Sequence, residues 1–258
     1  MENYSYSIKS EGNFKYIEEG NGDVLLLLHG LFGALSNFKS IIAHFRKNYK
    51  VVVPLLPLYE LPILDLGVKG LAKYVNEFVK FKGYHSVIPL GNSLGGHIAQ
   101  LFALENPEHT RALILTGSSG LFEDSFGGSF PKRGSYDFIR KKTEYTFYDP
   151  KTASKDLVDE VFDICNDRVK ALRIIKLARS AIRTNLSNLL PKIHAPTLLI
   201  WGREDKITPP FVADEFNKLI PNSELKFIGH CGHAPMMEKP EEFNILLQEF
   251  LDKIKVAA

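Results

Sequence analysis

The segment Pro89-Leu90-Gly91-Asn92-Ser93-Leu94-Gly95-Gly96 is where residue types and spacing most directly suggest chemistry. An apolar run, Val87–Leu90, stops at a glycine, a lone serine follows, and a helical pattern begins at once. A strand that passes into a helix through one residue holds that residue in a strained conformation, and the crowding favours small residues two positions away. Gly91 and Gly95 meet that need. The serine oxygen then projects above the sheet, and the helix start aims its amides at any oxyanion formed there. Ser93 is thus a candidate nucleophile, and the main-chain N–H of Leu94 a candidate oxyanion donor.

Serine attacks weakly unless a base takes its proton. Eight histidines compete for that role. His44, His85, His109 and His194 fall at element ends and read as surface residues. His97 lies one turn into the helix behind Ser93 and reads as packed, while His230 belongs to a strand end. His233 sits in a loop after a predicted strand. A carboxylate would orient such a base, and Glu204 and Asp205, which follow the strand Thr197–Trp201, are both candidates.

The elements that must position these groups alternate. Residues 4–9 and 14–18 read as a short hairpin. Val24–Leu28 and Val51–Leu56 are continuous apolar runs suited to strands buried on both faces. Helical patterns follow at 36–46, 67–81 and 95–105, with strands at Ser86–Leu90 and Arg111–Thr116. Residues 121–190 carry no strand-like run. They open on the Gly/Phe-rich GLFEDSFGGSF and continue as helical segments. Alternation returns with strands at Thr197–Trp201 and Glu224–Ile228 and helices at 210–219 and 241–254. The expectation is an α/β fold with a mostly parallel sheet of about eight strands, helices on both faces, and a helical cap inserted after the sixth strand. The units are then 1–120 and 191–258 for the core and 121–190 for the cap.

Composition narrows the function class. The chain has 258 residues, a net charge of +2, 24% charged and 45% hydrophobic residues, which suits a globular protein and makes no case for a nucleic-acid or membrane partner. The polar start MENYSYSIKSEG lacks an apolar core, so no signal peptide is expected. Two cysteines suit a reduced, cytoplasmic setting better than a disulfide framework, and no metal or cofactor is expected. Oligomeric state leaves no mark on the sequence.

Four segments together resemble the α/β-hydrolase superfamily: LLLLHGLFG (25–33), LGNSLGG (90–96), LLIWGREDKITP (198–209) and GHCGHAPMMEKPEEF (229–243). The resemblance implies that His233 is the base and that Asp205, rather than Glu204, is the acid. It implies a second oxyanion N–H at Leu31, with Phe32 a close second, and a structural role for His29 beneath that loop. The chain order Ser93, Asp205, His233 is that of the fold. HGLFG followed by Asn37 is similar to small carboxylesterases of the superfamily. The implied activity is hydrolysis of a small to medium carboxylic ester through an acyl-enzyme.

Two features depart from the pattern. VVVPLLPLYELPILDLG (51–67) replaces the usual aspartate and glycines after the fourth strand, and Asn92 replaces a common histidine. Alternatives are a carbon–carbon bond hydrolase of the meta-cleavage type, in which Arg133, Arg179 or Arg183 would meet substrate carboxylates, a lactonase, a thioesterase, or a non-catalytic ligand receptor on the same fold. Phe32, Phe122, Phe126 and Phe130 are candidate substrate contacts, and the Pro/Leu-rich 54–64 stretch a facing pocket wall. No strongly amphipathic surface helix stands out.

Overall fold

The computed structural model describes residues 6–32, 35–124 and 134–256. Its centre is an eight-stranded sheet in the order β1-β2-β4-β3-β5-β6-β7-β8. These strands are β1 (Lys9–Glu11), β2 (Phe14–Glu19), β3 (Val24–Leu28), β4 (Lys50–Pro54), β5 (Val87–Asn92), β6 (Leu113–Thr116), β7 (Thr197–Gly202) and β8 (Ser223–Ile228). The β1–β2 and β2–β4 pairs are antiparallel, and every other ladder is parallel. Among the described residues the first strand is Lys9–Glu11, where the sequence pattern predicts 4–9; residues 4 and 5 lie outside them. A two-residue turn at Gly12-Asn13, with Gly12 at φ 56°, forces pairing to start beside it, so Glu11 faces Phe14.

Helices cover both faces: α1 (Lys39–Phe45), α2 (Val68–Phe81), α3 (Leu94–Glu105), then α4 (Tyr136–Tyr145), α5 (Lys155–Asn166) and α6 (Arg168–Arg183) between β6 and β7, and finally α7 (Pro210–Leu219), the short α8 (Pro235–Glu238) and α9 (Pro240–Val256). The alternation of β3 divides the core. Leu26 and Leu28 pack with α2, α3 and α7, while Leu25 and Leu27 pack with α1 and α9. Each side is closed by fully buried aromatic rings, including Phe78 and Phe216 on the first and Phe45 and Phe243 on the second.

From β3 the chain moves to β4 on one side, then crosses to β5 on the other. The loops leaving β3 and β5 therefore diverge at a topological switch point, where open α/β sheets form their binding crevices. Leu31 and Ser93 occupy those two loops. The 54–64 stretch lies elsewhere than expected, against α6. Arg173 Nε donates to the Leu58 carbonyl at 3.0 Å, its guanidinium also donates to the Leu61 carbonyl, and Lys176 Nζ donates to that of Ile63. Without glycines to turn it tightly, this Pro/Leu-rich segment leans on a neighbouring helix whose cations satisfy its exposed carbonyls.

Candidate active site

Ser93 has φ 55° and ψ −122°, a positive-φ conformation that non-glycine residues rarely adopt. It is held by its place between a buried strand and a buried helix, which offsets a strain of about 1–3 kcal/mol. The flanking glycines are required by contact. A Cβ on Gly91 would come within 2.3 Å of the Gly95 carbonyl oxygen, and one on Gly95 within 1.9 Å of that of Leu28. The Ser93 carbonyl accepts from Gly96 N–H at 3.0 Å, His97 N–H at 3.2 Å and Ser119 N–H at 3.2 Å, which fixes the turn from three directions.

The loop after β3 presses on the serine. A Cβ on Gly30 would stand 3.2 Å from Ser93 Cβ and 3.6 Å from its Oγ. His29 underpins that loop. Its Nδ1–H donates to the Gly30 carbonyl at 2.9 Å, and its Nε2 accepts from Leu56 N–H at 3.2 Å. Burial lowers its pKa, consistent with the single neutral tautomer those two bonds require.

Asp205 and His233 are in direct contact. The Asp205 side chain has no exposed surface, and its Oδ2 lies 2.9 Å from His233 Nδ1. Oδ1 accepts from the amides of Ile207 and Thr208 at 2.8 and 2.9 Å, and the Thr208 hydroxyl donates to Oδ2 at 2.8 Å. The buried indole of Trp201 donates to the Thr208 carbonyl at 2.7 Å and steadies the same turn. Glu204, the competing carboxylate, accepts from Cys231 N–H at 2.9 Å and so supports the histidine loop from its side.

The departure at Asn92 acquires a meaning in space. Asn92 Nδ2 donates to the carbonyls of Thr116 at 3.0 Å and His233 at 3.1 Å, so the residue before the serine holds the histidine loop. Glu238 Oε1 accepts from Gly232 N–H at 2.7 Å, and its Oε2 accepts from Tyr148 and Asp149 N–H at 2.8 and 3.2 Å. The His233 amide donates to the Thr146 carbonyl at 2.9 Å. Residues 146–149, just past α4, are therefore bonded to the histidine loop at three points. Thr208 and Glu238 both lie inside family-like segments, Glu238 beside His233, but the sequence assigned neither a role, because each acts on a partner brought near only by folding.

Burial pulls the His233 imidazolium pKa down, yet the charge and hydrogen bond of Asp205 together outweigh it, and the net shift is upward from 6.5. To act as a base His233 would have to be neutral. We expect kcat/KM for a soluble ester to fall as pH drops, with its inflection above the unperturbed imidazole value of about 6.5. Rate measurements from pH 5 to about 9 check this. An inflection below 6.5, with chemistry limiting, would reverse the assigned sign.

Ser93 and His233 both line one cavity of about 160 Å³, together with Gly30, Leu31, Phe32 and Asn37. Its remaining wall comes largely from α4, α5 and the turn after α4, including Ile139, Thr143, Phe147, Leu157, Val161 and Cys165. Lys142 is a lining cation, stacked 5.9 Å from the Phe138 ring and 5.7 Å from that of Tyr145. The expectation for the phenylalanines is only partly met in space. Phe32 lines the cavity, but Phe122 is 47% exposed and packs on Phe211 at 5.5 Å, away from it. Phe126, Phe130 and Arg133 lie outside the described residues. Arg179 and Arg183 line a separate groove. The helical wall of the cavity escaped sequence reading because α4 and α5 mix core and cavity positions on one apolar face.

Comparison with known proteins agrees with this architecture. Residues 25–245 match the model of the alpha/beta hydrolase family. The chain is 29% identical to a 2-hydroxy-6-oxononadienedioate/2-hydroxy-6-oxononatrienedioate hydrolase of a Pseudomonas species, covering 93% of this chain and 92% of that one. It is 27% identical to Lipase 1 of Psychrobacter immobilis, over 94% and 81%. It shares 44% identity and a TM-score of 0.80 with the crystal structure of an alpha/beta hydrolase enzyme from a sediment metagenome of the Mar Chica lagoon, Morocco, over 96% and 98%. With its mostly parallel eight-stranded sheet and a family match that runs from β3 into α9, this chain belongs to the alpha/beta hydrolase family and is a hydrolase.

Proposed function

We propose that the protein is a serine hydrolase of small carboxylic esters. The observation that carries this reading is a single mostly apolar cavity lined by both Ser93 and an Asp205-bonded His233. With Nδ1 committed to Asp205, Nε2 is the nitrogen left to take the Ser93 proton. The oxygen attacks the ester carbonyl, and the tetrahedral oxyanion receives the N–H groups of Leu94 and Leu31. Imidazolium then protonates the departing alcohol, which leaves an acyl-serine. Water activated by the same histidine attacks that acyl group, releasing the acid and restoring the Ser93 hydroxyl. Asn37 offers a polar contact to the substrate: it lines the cavity, and its buried Oδ1 has no hydrogen-bond partner among the described residues.

The helices between β6 and β7 act in this reading as the cap, within the expected 121–190 unit. The ester reading is favoured over carbon–carbon cleavage by the lining. Among the described residues no arginine lines the cavity, and its one lysine, Lys142, is stacked against the Phe138 and Tyr145 rings, so a mostly apolar lining offers the carboxylates of a ring-cleavage dienoate a single cation. Size favours a short or single-ring acyl group, since an apolar cavity of about 150 Å³ holds benzene. We expect kcat/KM to be greatest for short-chain or benzoyl p-nitrophenyl esters and to fall along a lengthening acyl series. A steady rise toward long chains would overturn the enclosed-pocket reading. Faster turnover of a ring-cleavage dienoate than of any ester would replace the ester reading with carbon–carbon hydrolysis.

A further inference from the structure

The α6 helix carries Arg168, Lys170, Arg173, Lys176, Arg179 and Arg183, and no Asp or Glu. Its inner face is settled: Ile174, Leu177, Ala178 and Ala181 are buried. Spacings of three and four place Val169, Leu172, Lys176, Arg179 and Arg183 together on the opposite side. Val169 is 66% exposed and Leu172 63% exposed. A helix facing water alone has no use for two such side chains between its cations.

The patch continues beyond the helix. Arg173 and Lys176 hold the 58–63 segment by its carbonyls, which sets Ile63 and Leu64 beside α6. Leu64 is 92% exposed and Ile63 53%. Between loop and helix runs a groove lined by Leu66, Leu172, Lys176, Arg179, Ser180 and Arg183, and it shares no residue with the catalytic cavity. Three carboxylates border the patch, and Glu60, exposed in the loop itself, accepts from Tyr59 N–H at 3.2 Å. Asp167 is turned to the helix's own start, where it accepts from Val169 and Lys170 N–H at 2.9 and 3.0 Å, and Asp65 is exposed next to Leu64.

We propose that this face docks on an anionic lipid bilayer. Exposed aliphatic side chains flanked by cations are what an interfacial helix presents, with the apolar groups entering the acyl boundary and the cations meeting headgroup phosphates. A neutral surface would satisfy only half of the patch, and an acidic soluble partner would leave Leu64, Val169 and Leu172 in water. Among the described residues no helix is long and apolar enough to cross a membrane, so α6 lies on the surface. The net charge of +2 conceals the feature because acidic residues elsewhere offset a locally unmixed helix. The inference is independent of the ester reading.

Co-sedimentation with vesicles tests it. The whole protein should bind equimolar phosphatidylcholine–phosphatidylglycerol vesicles at low salt, bind phosphatidylcholine vesicles far less, and be released by raised salt. Arg183→Gln should weaken partitioning about fivefold, the value of one cation near an anionic surface. Leu64→Ser should weaken it further, and the paired variant should not sediment. The thermal unfolding midpoint and circular dichroism spectrum should stay unchanged in all three, which shows that they fold. Equal binding to both vesicle types, no binding to either, or binding unaffected by the variants would overturn the proposal. So would a wild-type dimer that Leu64→Ser converts to monomer while vesicle binding persists, which would make the face an interface between copies.

Discussion

Ser93→Ala should lower kcat for ester hydrolysis by several orders of magnitude, on the order of 10⁶-fold if the three groups act as one unit. Leu31 and Leu94 would still present main-chain N–H groups to the substrate, so a residue of catalysis over water is expected to remain. KM should change little, because the cavity wall is unaltered. Folding should be retained, since alanine inherits the same positive φ and removes only a hydroxyl. A second variant separates chemistry from strain. Ser93→Gly should be equally inactive, yet more stable than Ser93→Ala by about 1 kcal/mol, because glycine tolerates φ 55°. Steady-state kinetics, labelling by a fluorophosphonate probe and thermal denaturation give the three readouts. Retention of most activity in Ser93→Ala, or labelling at another residue, would sink the nucleophile assignment.

Asp205→Asn should cost on the order of 10⁴-fold in kcat, whereas Glu204→Gln should be mild. The two carboxylates are adjacent in sequence but do different work. Asp205 receives two amides, a hydroxyl and the His233 ring. An asparagine amide would turn a donor toward at least one of those donors and would favour the wrong imidazole tautomer. Glu204 accepts from Cys231 N–H alone among its side-chain bonds given by the geometry, and a glutamine oxygen can accept the same bond. Removing the Asp205 charge also leaves the burial of His233 uncompensated, so the acid limb of the residual rate should move to lower pH. Comparing pH–rate profiles of the two variants checks both points. The reverse ranking of activities would show Glu204 to be the acid.

Much of this was written in short-range pattern. The central parallel strands are mostly apolar runs, with the edge strand β8 (SELKFI) the exception, and the next-to-last residue of β5 is Gly91, two before Ser93, because the elbow leaves no room for a Cβ. Those are local demands of backbone and burial, so the sequence carries them openly. Residue types alone left the proposed acid and base as candidates along the chain, and it took the family resemblance to single out Asp205 and His233, since 28 positions separate them and nothing local says they touch.

Tertiary structure decided the rest, because the deciding contacts join distant segments. It turned Asn92 toward the His233 carbonyl and gave Glu238 three amides from two loops. It sent Phe122 to the surface and built the cavity wall from α4 and α5, whose apolar positions look alike in sequence whether they fill a core or face a hollow. It also set the 54–64 stretch against α6. Burial of one face of that helix is what left its cations and its exposed Val169 and Leu172 together on the other, a segregation that depends on which side the fold covers.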